Sequence, residues 1–158
     1  MNDRRKTISY RGGLVTFRIP DTWKEEYGAD GGGAFYEDEV DSSTFRLEVM
    51  TIEAPPRVVL DNARDVLAAV RRVTPGDIEL LPSGYALLRY TQQTMDRGHP
   101  LHIFYWIVAQ VLPPTHARIA TFSHTLLDLQ QHVPRFQQER AMLEEEVRAC
   151  VFWPELGK

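Results

Sequence analysis

The sequence predicts an α+β layered sandwich, a mostly antiparallel sheet of about six strands flanked by helices. Three observations carry this expectation. Apolar and polar residues alternate with a period of two over parts of residues 7–53 and 85–125, as half-buried strands require. Two other stretches, about 57–73 and 129–151, place apolar residues at helical spacing. Leu101 to Leu112 is apolar at both odd and even positions, so it belongs in mid-sheet with cover on both faces.

The elements follow in order. Thr7 to Tyr10 reads as a short strand, Arg11-Gly12-Gly13 as a turn, and Leu14 to Ile19 as its partner, with Val15, Phe17 and Ile19 on one face. Pro20 stops the strand. Asp21 is expected to cap a short helical turn through Trp23 and Tyr27. Gly28 to Gly33 is a loop, Ala34 to Glu37 a brief strand and Asp38 to Ser43 an acidic turn. Thr44 to Glu53 is a strand with Phe45, Leu47 and Val49 inward and Arg46 and Glu48 outward.

Pro55-Pro56 introduces a helix over Arg57 to Val73, whose apolar stripe is Val59, Ala63, Val66, Leu67 and Val70. Pro75-Gly76 ends it. Asp77 to Leu81 is a short strand. Tyr85 to Met95, Leu101 to Leu112 and His116 to Thr125 form a meander, turned by Asp96-Arg97-Gly98-His99 and by Pro113-Pro114. The tail is helical, with Phe136, Leu143, Val147 and Cys150 or Val151 as its stripe, and Pro134 starts or kinks the main helix.

A chain of 158 residues suits one domain, 1–158, with residues 1–6 as a flexible N-terminal tail. The formal net charge of −4 gives no footprint for nucleic acid. Cys150 is the only cysteine, which rules out an intramolecular disulfide and fits a reducing compartment. The start is polar, without the apolar segment of a signal peptide. The 12-residue run at 101–112 is shorter than the roughly 20 residues a membrane helix needs. A cytoplasmic location is expected.

The opening combines Ile8-Ser9-Tyr10, a Gly12-Gly13 turn, Val15-Thr16-Phe17-Arg18-Ile19-Pro20, then Trp23, a Gly-rich loop and Ala34-Phe35-Tyr36. It resembles the PsbP-like (DcrB-like) superfamily, in which a Phe-x-Ile-Pro-x-x-Trp entry follows a hairpin. A C-terminal helix that ends before a last extended piece, as at Val147 to Phe152, resembles the same group. Its members include plant photosystem proteins, a Ran-binding import factor and some type VI secretion chaperones. The resemblance implies a non-catalytic binding scaffold, and it supplies no catalytic residues to carry over.

The remaining constellations point the same way. Gly31-Gly32-Gly33 feeds a strand rather than a helix N-terminus, so it reads as a loop and not a phosphate cradle. If the second proline turn sets His102 opposite Leu126, His102 and His124 become diagonal neighbours, but no third metal ligand is evident. Ser123, His124 and Asp128 name the residue types of a hydrolase triad, yet adjacent strand residues face opposite ways. Cys150 reads as a buried structural thiol. Arg4-Arg5-Lys6 reads as a solvated tail and Glu144-Glu145-Glu146 as a solvated helix face.

The aromatic set Tyr85, Tyr90, Phe104, Tyr105, Trp106 and Phe122 is mostly core. Arg89 is expected opposite Trp106, within reach of a cation–π contact. The candidate partner-binding surface is therefore Arg89, His102, Phe104 and Trp106. No catalytic, cofactor or metal residue is assigned. The function expected is a protein-binding or assembly factor, such as a secretion chaperone that cradles an apolar client segment. The alternatives are a small-molecule-binding protein or weak hydrolase using His102, His124 and Asp128, and a homodimer that buries the sheet face.

Overall fold

The computed structural model describes residues 4–156. Its first hairpin is β1 (Arg5–Tyr10) and β2 (Val15–Pro20), and its second is β3 (Lys24–Tyr27) and β4 (Gly33–Tyr36). Then come β5 (Thr44–Glu53), α1 (Ala63–Arg71), β6 (Glu79–Leu80) and the meander β7 (Ala86–Asp96), β8 (His99–Leu112) and β9 (His116–Leu127). A 3-10 turn at Asp128–His132 leads into α2 (Pro134–Arg148) and a last short strand, β10 (Val151–Phe152). Among the described residues the strands form two antiparallel sheets, ordered β3-β4-β5-β9-β8-β7-β6 and β1-β2-β10.

The α+β sandwich is borne out, with two sheets where one of about six strands was expected. The first hairpin leaves the main sheet because Val15, Phe17 and Ile19 are all buried on one face and need an apolar surface to cover. They lie across the main sheet. Phe17 meets Phe35, Phe45 and Phe122 edge-on at centroid distances of 5.5, 6.0 and 5.5 Å, the favoured aromatic geometry. The main sheet thus has an inner face, towards the small sheet and α2, and an outer face, towards α1.

β8 lies between β9 and β7, and both of its faces find cover. Trp106 and Val108 join the inner core. Ile107 and Ala109 join a second cluster under Ala63, Leu67 and Ala68 of α1. Arg97 and Gly98 both have positive φ, 50° and 81°, as a two-residue type I′ turn requires. That turn pairs Asp96 with His99 and sets Arg89 opposite Trp106.

Four local expectations are corrected. Residues 24–27 form the strand β3 and not a helical turn, because pairing with β4 satisfies their backbone while all four side chains stay exposed. α1 is shorter than 57–73. Asn62 caps it by accepting from the Asp65 amide, and Arg72 ends it at φ 55°. Val59 therefore stays 66% exposed, and the amide of Leu60 donates to the Pro114 carbonyl instead of entering a helix.

The expected tail 1–6 is in part β1. Met1 to Asp3 lie outside the described residues, but Arg5 pairs with Pro20 and Lys6 with Ile19. The Lys6 ammonium donates to the Trp23 carbonyl and pairs with Glu25 at 2.9 Å. The acidic run on α2 is a solvated face only at Glu145, whose side chain is 73% exposed. Glu146 is 2% exposed and lies 3.2 Å from Arg5 and 2.7 Å from Arg18. A buried carboxylate needs such partners, and here they join α2 to the small sheet. No helix among the described residues is long and apolar enough to cross a membrane.

Candidate functional site

The two faces of the main sheet are closed unequally. On the inner face, α2 and the small sheet cover Phe45, Leu47, Trp106 and Phe122. On the outer face, α1 covers Leu88, Ile107 and Ile119, which occupy one end of the strands. The other end of that face is open.

A single cross-strand row marks the open part. Arg46 on β5 lies opposite Ser123 on β9, Ser123 opposite Tyr105 on β8, and Tyr105 opposite Tyr90 on β7. The alternation of each strand puts these four on one face. Tyr90 and Tyr105 stack with centroids 4.7 Å apart and planes at 18°. Arg71, from the last turn of α1, donates to the Tyr90 hydroxyl at 2.7 Å and sits over its ring. Burial and the neighbouring Tyr90 push the Tyr105 phenol above its usual range, so it remains a neutral donor. Beside the row is a groove of about 480 Å³ lined by Glu26, Tyr27, Arg46, Glu48, Tyr105 and Ser123. Tyr10 supports its rim by donating its hydroxyl to the Gly31 carbonyl.

The four residues expected at a partner surface share the inner face. Trp106 is wholly buried, because α2 lies over it, so it is core and not surface. The expected Arg89–Trp106 cation–π contact is replaced by a shared carboxylate. Glu144 Oε1 accepts from the Trp106 indole at 3.0 Å and from Arg89 at 3.1 Å. Arg89 is still 47% exposed. Together with Phe104 it lines a shallower groove of about 360 Å³ along β7. His102 is 8% exposed.

His102 does lie opposite Leu126, and Phe104 opposite His124, so the histidines are diagonal neighbours. Burial, with Arg140 second, holds the His102 imidazole below its usual range. His124 is wholly buried, with Nε2 2.9 Å from Glu139 Oε2. Among the described residues no three metal-ligating side chains come together. Ser123 faces the outer groove while His124 faces α2, and Asp128 accepts from Gln93 and Gln131. The triad residue types therefore do not assemble. Cys150 is buried and its thiol is pushed up to about 12.

Sequence reasoning included Tyr90 and Tyr105 among the aromatics but missed their pairing with Arg46 and Ser123. The outward alternation of Arg46 and Glu48 was the available signal. Glu144 and Arg140, which govern the inner face, left no such signal, because helix residues reveal their sheet contacts only after docking.

The fold is shared with solved bacterial structures. LpqN of Mycobacterium tuberculosis, involved in cell envelope biogenesis, superposes with a TM-score of 0.61 at 10% identity, over 96% of this chain and 91% of LpqN. A protein from Bacteroides thetaiotaomicron superposes with a TM-score of 0.58 at 16% identity, over 97% of this chain. This chain spans 50% of the length of that protein. At such identities the likeness concerns the fold alone. No family model matches the sequence, so the PsbP-like resemblance gains no support at that level. No curated protein matches it either.

Proposed function

We propose that this protein is a non-catalytic binding or assembly factor serving the cell envelope from the cytoplasmic side. It docks a segment of a protein partner on the open outer face of the main sheet. One observation carries this reading: among the described residues α1 reaches the row Arg46–Ser123–Tyr105–Tyr90 only through Arg71 at Tyr90, and the rest of the row borders the open groove, whereas α2 and the small sheet pack over the centre of the inner face. Stacked tyrosines offer rigid apolar area with polar tips, the usual chemistry of interface anchors. Arg46 and Ser123 supply the polar rim beside them.

The envelope setting rests on LpqN, which shares this fold over nearly its whole length. The cytoplasmic side is favoured by a lone buried cysteine, which fits a reducing compartment. The test is capture from the native host by wild type and by a Tyr90→Ser/Tyr105→Ser variant, with fractionation of the complex. A partner held by wild type and lost by the folded variant supports the reading. Equal capture by both removes it.

A homodimer is the second reading, favoured by a different observation. Among the described residues β6 pairs only with Ala86 and Leu87, so one edge of β7 from Leu88 to Asp96 has no strand partner there. An open edge is a template for pairing with another strand, and the groove beside Arg89 and Phe104 runs along it. Light scattering after size exclusion distinguishes the two readings.

A further inference from the structure

Under the first half of α2 lies a group of cationic and imidazole side chains, several of whose nitrogens have no partner among the described residues. Arg140 is half-buried, and its Nε and Nη2 are sealed from solvent without a hydrogen-bond partner. Its guanidinium lies 5.0 Å from the centroid of the Phe104 ring. Phe104 is directly opposite His124 and two residues from His102 on the same face. His102 and His124 are more than nine-tenths buried, and each leaves Nδ1 buried and unpartnered. Four nitrogens from three side chains, brought near one another by the β8–β9 register and the Arg140–Phe104 contact, thus have no partner among the described residues.

Buried polar groups are almost always paired, and the fold supplies a contrast. Arg118 is also wholly buried and its Nε likewise lacks a partner, but its Nη1 and Nη2 donate to the Trp153 and Glu155 carbonyls and to Gln110. Arg140 has no such arrangement. The nearby carboxylates are engaged: Glu139 accepts from Ser43 and His124, and Asp128 from Gln93 and Gln131. A single water accepts two hydrogen bonds and brings no charge. An oxyanion offers several lone pairs and the opposite charge, which is what a desolvated guanidinium lacks.

The geometry points to a binding site for a small oxyanion, a carboxylate or phosphate group, held between α2 and strands β8–β9 by Arg140 and His102. This site lies on the opposite side of the sheet from the docking face and does not depend on that reading. Its groups are Arg140 and Glu139 from α2, His102 from β8, His124 from β9, and Asp128 and His132 from the 3-10 turn. Burial and Arg140 disfavour the charged form of His102. An anion favours it, so anion binding takes up a proton at His102 and tightens as the pH falls.

The test uses the full chain in chloride buffer at constant ionic strength, titrated with inorganic phosphate and, separately, with acetate. Thermal melting and calorimetry are the readouts. At least one anion stabilises wild type saturably. If that anion is acetate, whose charge is constant over this range, its affinity is greater near pH 6 than near pH 8. Arg140→Met keeps an apolar stem over Phe104, melts no lower than wild type in chloride, and loses about tenfold to a hundredfold in affinity. Arg140→Lys falls between. The preferred anion tells which source the site serves. The proposal is overturned if neither anion shifts melting, or if Arg140→Met responds as wild type does.

Discussion

Trp106 and Glu144 are joined by a hydrogen bond of 3.0 Å between the buried indole and the helix carboxylate. This contact docks α2 on the centre of the sheet, and Arg89 adds a second donor to the same oxygen. Glu144→Leu leaves a buried donor unmet and should cost about 1–3 kcal/mol in urea unfolding. Glu144→Gln keeps an acceptor and should cost less. Equal losses would show that the indole hydrogen bond is not what matters.

The same carboxylate makes stability depend on pH. Burial pushes the Glu144 carboxyl up, but the bonds from Trp106 and Arg89 and the charges of Arg89 and Arg148 outweigh it and hold it low. Its folded pKa is depressed, so its contribution is present above the unfolded value of about 4.3 and lost as pH falls through the folded one. Wild type should therefore lose stability more steeply than Glu144→Gln between about pH 5 and 3. Parallel curves in urea titrations over that range would count against this.

Phe17 joins the two sheets through three aromatic contacts. Phe17→Ala should cost about 3–5 kcal/mol, whereas Val40→Ala, at a side chain 92% exposed, should stay within about 0.5 kcal/mol. Denaturant melts of both variants measure the contrast, and a mild Phe17→Ala would mean that the sheets pack loosely.

α1 is bounded by its caps. Asn62→Ala removes the acceptor for the Asp65 amide and should cost about 1 kcal/mol. Arg72→Gly relieves a left-handed residue at φ 55° and should stabilise by up to about 1 kcal/mol. Thermal melting reads both signs, and a destabilising glycine at 72 would contradict this account.

Cys150 is 2% exposed, with its thiol pushed up to about 12 by burial. It should resist a thiol reagent in native buffer and react fully in guanidinium, because the thiolate is the reactive form. Labelling of the native protein within minutes would mean that the helix end opens easily.

Much of the strand framework was legible in the sequence. Thr44–Glu53 matches β5 at both ends. The meander was legible because its turns set the register: Arg97-Gly98 places Arg89 opposite Trp106, and Pro113-Pro114 places His102 opposite Leu126. Residues 24–27 were not legible, because Lys24, Glu25, Glu26 and Tyr27 carry no alternation and become a strand only by pairing with β4. Glu146 was not legible as a buried charge, because its partners Arg5 and Arg18 lie more than a hundred residues away.

Local chemistry in the sequence determined that the chain folds as strands and helices around an aromatic core, and which side chains share a strand face. Tertiary structure alone decided that α2 and the first hairpin cover the centre of the inner face while α1 covers only one end of the outer. Trp106 thereby became core and Tyr105 became surface. Alternation assigns residues to one side or the other, but which side stays open depends on how distant elements dock, and that energy is shared across the whole contact.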